Sequence, residues 1–256
     1  MVTLANQVVL ISGASGGIGS ALTRALSDHQ VRTVIVGRNQ AKLQALANTC
    51  GGCRYVSADL TDDIDIAKLG DLLVNEYGHV DILIHCAGVI DHGSIEDAPI
   101  VALDRQYQAN VRGPLLLTKT MLPLLKNPRG QIVFINSSRG LSATANNGHF
   151  SATQHAFKAI ADSLREEVNP QDVRVLSVFT GRTATPRIKD LDLREGRIHH
   201  PELLLQPEDI AIVVINALSL PWTAEVTEIK IRPMRKPQAK LQLERIVAPE
   251  NTGRLR

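Results

Sequence analysis

The sequence contains few aromatic residues, little net charge and no long hydrophobic run. Aromatic side chains make up 3% of the 256 residues, so we expect a mainly aliphatic core. No apolar run approaches the roughly 18 residues of a membrane span, which argues against a membrane protein. A formal charge of +2 leaves no basic stripe of the kind that binds nucleic acid. The expected partners are therefore small molecules or further copies of the chain.

Cysteines are also few, and their number is odd. Three cysteines do not form a disulfide framework, and reduced thiols are typical of cytoplasmic proteins. The first apolar run, residues 8–12, leads into a glycine-rich loop rather than a cleavage site, so it predicts a strand and not a signal peptide. We therefore expect a cytoplasmic location.

Cys50 and Cys53 form a CGGC motif that leaves three interpretations open. A structural zinc site normally has four ligands, and no second pair of ligands is visible, so no metal is predicted. A redox-active pair is the second interpretation. Two loop cysteines without a chemical role are the interpretation that we favour.

Apolar runs typical of strands alternate along the chain with segments of helical period. Continuous apolar strands separated by helices predict a parallel sheet that is covered on both faces. We therefore predict one doubly wound α/β domain, residues 1–256, with a parallel sheet of about seven strands. The predicted strands are VVLIS, VRTVIVG, CRYVSAD, VDILIHCAG, GQIVFINSS, VRVLSVFTG and VTEIKIRP. The predicted helices cover residues 18–28, 39–48, 62–77, 100–125, 150–168 and 207–218.

A glycine-rich loop, SGASGGIG, lies between the first strand and the first helix. Gly13, Gly17 and Gly19 have the spacing GxxxGxG, with Ser15 and Ile18 between them. Glycines permit a positive φ and a close approach of the backbone, and the helix N-terminus offers N–H groups to a pyrophosphate. The loop therefore predicts a dinucleotide site, and the alternative is that the loop is retained without a ligand.

The end of the second strand distinguishes the two nicotinamide cofactors. An acidic residue usually binds the ribose 2′-hydroxyl of NAD at this position, but the sequence has Gly37 and Arg38 here. A guanidinium suits a 2′-phosphate, so Arg38 predicts NADP(H) rather than NAD(H). The alternative is that Arg38 is an ordinary solvated charge.

The segment 136–158 carries three residues at a distinctive spacing. Phe150 follows Ser137 by 13 residues and precedes Gln154 by four. This spacing resembles the catalytic Ser, Tyr and Lys of the short-chain dehydrogenase/reductase family, with Phe and Gln in place of Tyr and Lys. The resemblance extends over residues 7–234 and implies a Rossmann domain that binds a nicotinamide cofactor.

Other positions resemble the family pattern as well. Asn110 matches its helix Asn, and Asp59–Leu60 matches its adenine-contacting position. Cys86, Ala87 and Gly88 stand where the family has Asn-Ala-Gly. The resemblance adds Asp59, Leu60, Ala87, Gly88 and Gln154 to the cofactor residues predicted from the glycine loop and Arg38.

The resemblance implies roles for four residues of the active site. Ser137 polarises a substrate carbonyl and Asn110 holds a water in the proton relay. Phe150 has no ionisable group, so the general-acid contribution of about 10² to 10⁴ in rate is lost. Gln154 could still bind ribose hydroxyls through its amide. The alternatives are that Phe150 only packs in the core, that Gln154 lies on the surface, and that the Ser137 hydroxyl bonds only to the backbone.

Four nearby side chains are weaker candidates for a substitute acid. They are His149, Arg139, Tyr107 and His155, and His149 is the best because imidazole titrates near neutral pH. Residues 182–206 carry mixed charge and include His199 and His200, and we expect them to form a mobile lid over the substrate. Residues 235–256 contain six basic and two acidic side chains and predict a flexible tail.

Two functions follow from these substitutions. The first is an NADP(H)-dependent oxidoreductase whose acceptor needs no Tyr proton, for example an iminium or an activated alkene. The second is an inactive NADP(H)-binding protein that acts as a regulator or as a partner subunit. A homodimer or homotetramer is expected, and a mixed oligomer remains open. An engineered origin of Phe150 is a further alternative, because Tyr→Phe is a common inactivating substitution.

Overall fold

The computed structural model describes residues 2–126 and 129–235. It contains a parallel sheet of seven strands in the order β3-β2-β1-β4-β5-β6-β7. The strands are β1 (Val8–Ser12), β2 (Arg32–Gly37), β3 (Arg54–Ser57), β4 (Ile82–His85), β5 (Gln131–Ser137), β6 (Arg174–Thr180) and β7 (Glu228–Ile231). The predicted doubly wound fold is therefore confirmed.

Eight α-helices lie in the described part of the chain and cover both faces of the sheet. They are α1 (Gly17–Ser27), α2 (Gln40–Thr49), α3 (Asp63–Glu76), α4 (Ile100–Tyr107), α5 (Gly113–Leu125), α6 (Gly148–Val168), α7 (Pro186–Arg194) and α8 (Pro207–Leu218). Apolar side chains of α1, α2 and α8 form one core cluster with the sheet, and those of α3, α5 and α6 form the other. Both clusters are mainly aliphatic, as the low aromatic content predicts.

The region 100–125 is helical throughout but is not a single α-helix. A π-helical turn, Gln108–Arg112, separates α4 from α5. Gly113 begins α5 where a Cβ would lie 2.3 Å from the carbonyl oxygen of Leu60, so the helix passes very close to the backbone that follows β3. Turns of this kind are frequent at functional sites, and this one carries Asn110.

The stretch 182–206 contains helix α7, which periodicity did not predict. Its N-cap Thr185 accepts a hydrogen bond from the backbone N–H of Ile188 at 3.3 Å, and Pro186 occupies the first helical position. The predicted tail lies outside the described residues except for Arg235. Among the described residues, no helix is both long and apolar enough to cross a bilayer.

Strand order reverses between β1 and β4. The loops after these neighbouring strands turn to opposite faces of the sheet and leave a crevice at their carboxyl ends, which is where ligands bind in open α/β sheets. The fold therefore positions the glycine loop, which follows β1, next to Cys86 and Ala87, which follow β4.

Candidate functional site

A cavity of about 890 Å³ opens along the carboxyl ends of the strands. It continues from the glycine loop past the ends of β2 and β4 to the start of α6 and to residues 180–197. The residues predicted for cofactor binding and for the four catalytic positions all line it: Gly13, Ser15, Gly17, Ile18, Gly19, Arg38, Asp59, Leu60, Ala87, Gly88, Asn110, Ser137, Phe150 and Gln154. The tertiary structure thus brings all of these residues to one cavity.

The glycine loop packs against backbone on both sides. Gly13 has a φ of +66°, and a Cβ there would lie 2.5 Å from the backbone nitrogen of Ala87. A Cβ on Gly19 would lie 2.5 Å from the carbonyl oxygen of Gly13. The N-cap of α1 is Gly16, which has no side chain to occupy the N–H groups of the first turn. These N–H groups therefore remain available to an anion in the cavity.

The end of β2 presents positive charge to the same cavity. Arg38 is exposed, and it forms no ion pair with the described residues. Lys42 lines the cavity nearby. A Cβ on Gly37 would lie 3.2 Å from the Oγ of Ser15, so the glycine lets the glycine-rich loop approach the strand end closely. The arrangement suits an anionic group such as a 2′-phosphate.

Asp59, which follows the neighbouring strand β3, is a hydrogen-bond acceptor in the same cavity. Its Oδ1 accepts hydrogen bonds from the backbone N–H of Thr61 at 3.0 Å and from its hydroxyl at 2.8 Å. Partial burial acts to raise the pKa of Asp59, but these hydrogen bonds and the charge of Arg38 lower it overall. The carboxylate is therefore held in place, and its second oxygen is available to a donor on a ligand.

Cys86 stands where the resemblance has Asn. Burial raises the pKa of its thiol to about 12, although the neighbouring charge of Arg187 acts in the opposite direction. The backbone N–H groups of Cys86 and Ala87 both donate to the Oγ of Ser12, at 3.1 and 3.3 Å. Cys86 is therefore a neutral thiol in the cavity wall, fixed by the end of β1.

Ser137 and Gln154 are joined by a hydrogen bond. The Oε1 of Gln154 accepts from the backbone N–H of Ser137 at 3.1 Å, which directs the amide Nε2 of Gln154 elsewhere. The Oγ of Ser137 accepts from the backbone N–H of Arg139 at 3.2 Å, so the hydroxyl hydrogen of Ser137 is free to donate. Gln154 is 7% exposed and lines the cavity, unlike an ordinary surface residue.

The side chain of Asn110 forms three hydrogen bonds that join separate segments. Its Oδ1 accepts from the backbone N–H of Val89 at 2.7 Å, and its Nδ2 donates to the Val89 carbonyl at 2.9 Å and to the Oγ1 of Thr153 at 3.1 Å. These bonds tie the loop after β4 to the π turn and to α6. The side chain is 2% exposed and is held firmly at the back of the cavity.

Phe150, which stands where the family resemblance has Tyr, lies beside a histidine that sequence reasoning missed. Phe150 is 7% exposed, and its ring centroid lies 6.4 Å from that of His92. His92 lines the cavity, and its Nδ1 lies 2.5 Å from the Oε1 of Glu195. No local motif marks His92. The sequence placed it only four residues after Gly88, and this closeness was the one indication that His92 lies near the site.

The substitute acids considered from the sequence are placed differently. His149, His155 and Tyr107 are not among the residues that line the cavity, whereas Arg139 is. His155 bonds to the carbonyl of Ser151 through Nδ1 at 2.8 Å. His92 is therefore the histidine that the fold brings to the cavity.

Ion pairs hold the 182–206 segment together. Arg182 bonds to Asp192, which is 4% exposed, and to Glu195. His199 pairs with Asp192 at 2.8 Å, and His200 pairs with the exposed Glu202. In the described part of the chain, no three His, Cys, Asp or Glu side chains are grouped to hold a metal. Both histidines therefore contact carboxylates within this segment.

The CGGC cysteines, Cys50 and Cys53, are free thiols outside the set of residues that line this cavity. Cys50 is buried and Cys53 is half-buried, and both thiols are free. Cys53 Sγ donates to the carbonyl of Cys50 at 3.1 Å, and burial raises the pKa of Cys53. Neither residue lines the cavity.

Comparisons with known proteins were made for sequence and for structure. The family profile described as short chain dehydrogenase matches residues 7–196. An uncharacterized oxidoreductase of Staphylococcus epidermidis is 32% identical over 236 residues, which cover 91% of this chain and 100% of that protein. A similar uncharacterized oxidoreductase of Staphylococcus haemolyticus is 30% identical over 237 residues, with the same coverage of both chains.

Solved structures with the same fold include two with nicotinamide nucleotides. A variant of actinorhodin polyketide ketoreductase with NADPH has a TM-score of 0.82 and 22% identity, over 90% of this chain and 97% of that chain. An alcohol dehydrogenase from Thermococcus sibiricus, complexed with 5-hydroxy-NADP, has a TM-score of 0.80 and 23% identity, over 91% and 99% of the two chains. At these identities the likeness shows the fold.

Proposed function

Because this chain belongs to the short-chain dehydrogenase family, we propose that it is an NADP(H)-dependent oxidoreductase whose acceptor takes no proton from a Tyr. The observation that carries the proposal is the single cavity, which joins the glycine loop and Arg38 to Ser137. Hydride transfer needs the cofactor and its acceptor to be held next to each other, and this cavity joins the predicted cofactor residues to the hydroxyl of Ser137.

The residues at the cofactor end fit NADP(H). At Gly13 and Gly19 a Cβ would clash with neighbouring backbone atoms, so glycine permits the tight turn of the loop. The start of α1, which has no side-chain cap, offers N–H groups to a pyrophosphate. Arg38 has no ion-pair partner among the described residues and suits a 2′-phosphate. Asp59 can accept from the adenosine end, as the family resemblance implies. When bound, the cofactor supplies or accepts hydride.

The substrate end of the cavity has the hydroxyl donor of Ser137 but has Phe150 where the family has the Tyr hydroxyl. Ser137 has a free hydroxyl hydrogen for a substrate oxygen, and the Nε2 of Gln154 can donate to a ribose hydroxyl where the family uses Lys. Phe150 supplies the volume of the missing Tyr without its proton. The acceptors that need no Tyr proton include iminium ions and activated alkenes. We expect the protein to act in the cytoplasm, where its free thiols stay reduced.

Cofactor titration tests the proposal directly. NADPH and NADH are titrated by their intrinsic fluorescence into the wild type and into Arg38→Ala. Hydrogen bonds to charged groups contribute about 1.5–3 kcal/mol, so Arg38→Ala is expected to weaken NADPH binding about 10- to 100-fold. NADH binding should change little, because NADH has no 2′-phosphate.

Arg24→Ala is the matched control, because Arg24 is exposed on α1 and does not line the cavity. It should bind NADPH as the wild type does. Failure of the wild type to bind either cofactor would remove the proposal. Equal losses for NADPH and NADH in Arg38→Ala would remove the NADP(H) preference.

An inactive binding protein is the second candidate. Loss of both Tyr and Lys at Phe150 and Gln154 favours it, since either substitution alone impairs the family mechanism. Apolar side chains are exposed on α4 and α5, where a second subunit could pack: Ile100 (68%), Val101 (65%) and Leu115 (39%). A homodimer or homotetramer with NADPH turnover in light-scattering and kinetic measurements would argue against this candidate. A stable mixed oligomer with an active reductase would favour it.

A further inference from the structure

The segment that carries His92 is anchored on both sides. The backbone N–H of Asp91 donates to the Oε1 of Gln106 at 3.2 Å, and Gln106 is fully buried. The backbone N–H of Gly93 donates to the carbonyl of Asn146 at 2.9 Å. Because its neighbours are fixed in this way, His92 has a defined position in the cavity beside Phe150.

One ring nitrogen of His92 is engaged by a carboxylate. Nδ1 lies 2.5 Å from Glu195, and the two side chains are 16% and 21% exposed. A carboxylate only accepts hydrogen bonds, so Nδ1 carries the hydrogen. The other carboxylate oxygen of Glu195 lies 3.4 Å from Arg182 and 3.1 Å from Arg197. Glu195 is thus flanked by two guanidinium groups and one imidazole.

The second ring nitrogen of His92 remains available. Among residues 2–126 and 129–235, no group forms a hydrogen bond with Nε2, while the ring lines the cavity that contains Ser137. An imidazole that is oriented by a carboxylate at Nδ1 can gain and lose a proton at Nε2. This is the arrangement that general acid–base catalysis uses.

We propose that His92, oriented by Glu195, is the proton donor that replaces the missing Tyr. The substrates are then ketones or keto esters, which need a proton on oxygen. This inference rests on the proposed function, because NADPH must supply the hydride. Hydride adds to the carbonyl carbon, the π electron pair moves to oxygen, and the imidazolium Nε2–H gives its proton to that oxygen. The products are the alcohol, NADP⁺ and neutral His92, which regains a proton from water.

Reduction by this route requires the protonated imidazole, so kcat falls as the pH rises. Glu195 and the apolar ring of Phe150 lie against the His92 ring. Arg182 and Arg197 contact Glu195 rather than His92, and the Asp91–Arg105 ion pair begins one residue before His92 in the chain. Glu195→Ala removes the acceptor of Nδ1–H and should lower kcat for reduction while the Kd for NADPH stays unchanged. Glu195→Gln keeps an amide oxygen that can accept from Nδ1, so it should retain more of the rate than Glu195→Ala. This rescue by the conservative variant is what a positioning residue predicts.

The competing explanation is that the His92–Glu195 pair only joins residues 182–206 to the loop after β4 and takes no part in the reaction. His92→Asn separates the two, because its amide can still donate to Glu195 while the ring atom that faces the cavity is removed. His92→Gln is a second variant in case the first fails to fold. His149→Asn is the control, since His149 does not line the cavity. Thermal melts and NADPH titrations show whether each variant is folded and binds the cofactor.

The assay follows NADPH absorbance with ethyl acetoacetate and ethyl benzoylformate, and also with 2-methyl-1-pyrroline and β-nitrostyrene. We expect the wild type to reduce the keto esters and His92→Asn to lose at least about 100-fold in kcat. The Kd for NADPH should be unchanged in this variant, and the alkaline fall should disappear. His149→Asn should behave as the wild type.

Three outcomes overturn the inference. Keto-ester reduction by His92→Asn at the wild-type rate would show that the His92–Glu195 pair has only a structural role. A wild type that binds NADPH but reduces only the imine or the nitroalkene would exclude His92 as the proton donor, and it would leave the proposed function intact. A wild type that binds no NADPH would remove the proposed function, and the inference with it.

Discussion

Lowering the pH should destabilise this protein through one buried histidine, His85. Its ring lies in the core at the end of β4, 4.9 Å from the ring of Phe134. The hydroxyl of Thr118 donates to the carbonyl of Pro114 at 2.8 Å, so its oxygen accepts from the Nε2–H of His85, also at 2.8 Å. Nδ1 of His85 has no partner among the described residues. The histidine is therefore buried in its neutral form.

Burial lowers the pKa of His85 from 6.5 to about 3. The unfolded chain therefore binds a proton below pH 6.5 that the folded chain does not bind until about pH 3, so stability falls as the pH drops through this window. Protonation of His85 in the unfolded chain lowers the free energy of unfolding by RT ln(1 + 10^(6.5−pH)). The loss is close to zero at pH 7.5 and about 2 kcal/mol at pH 5.0.

Urea denaturation at pH 7.5 and 5.0 measures this loss. His85→Gln keeps an amide that can donate to Thr118 but does not titrate, so its stability should depend less on pH than that of the wild type, by about 2 kcal/mol over this interval. The exposed His29→Gln is the control for general effects of losing a histidine. Equal losses in the wild type and in His85→Gln would refute the reasoning, because His85 would then be protonated or hydrated in the folded state.

Two further predictions concern the cavity. Gly17→Ala should lower the free energy of unfolding by about 1–3 kcal/mol in urea denaturation, because its Cβ would lie 2.4 Å from the Cγ2 of Thr185. Thr185→Ser in the same chain should recover part of the loss, because serine lacks the Cγ2 but keeps the Cβ that would lie 2.9 Å away. No recovery would place the strain elsewhere. In a His92→Asn background, Phe150→Tyr with Gln154→Lys should restore keto-ester reduction, measured by NADPH absorbance. A chain that binds NADPH but stays inactive would show that the substrate end of the cavity no longer fits the family mechanism.

Much of the fold and of the cofactor end could be predicted from the sequence, because local patterns specify them. The residues Val8–Ser12 are buried throughout, and continuous buried runs that alternate with helices are typical of a parallel sheet covered on both faces. The glycine loop is equally local, since the positive φ of Gly13 and its contact with Ala87 require the absence of a Cβ. The spacing of Ser137, Phe150 and Gln154 resembles that of the family's catalytic residues, and all three line the cavity. That they are degenerate catalytic positions stays a prediction.

Tertiary structure alone decided what surrounds those positions. His92 and Glu195 are 103 residues apart in the sequence, and neither belongs to a motif. Their contact depends on the loop after β4 and the end of α7 both folding over the carboxyl edge of the sheet. The three hydrogen bonds of Asn110 likewise join separate segments. Periodicity and spacing report contacts within a few turns of chain, whereas pairs such as His92 and Glu195 form only after the sheet has set the distance between their loops.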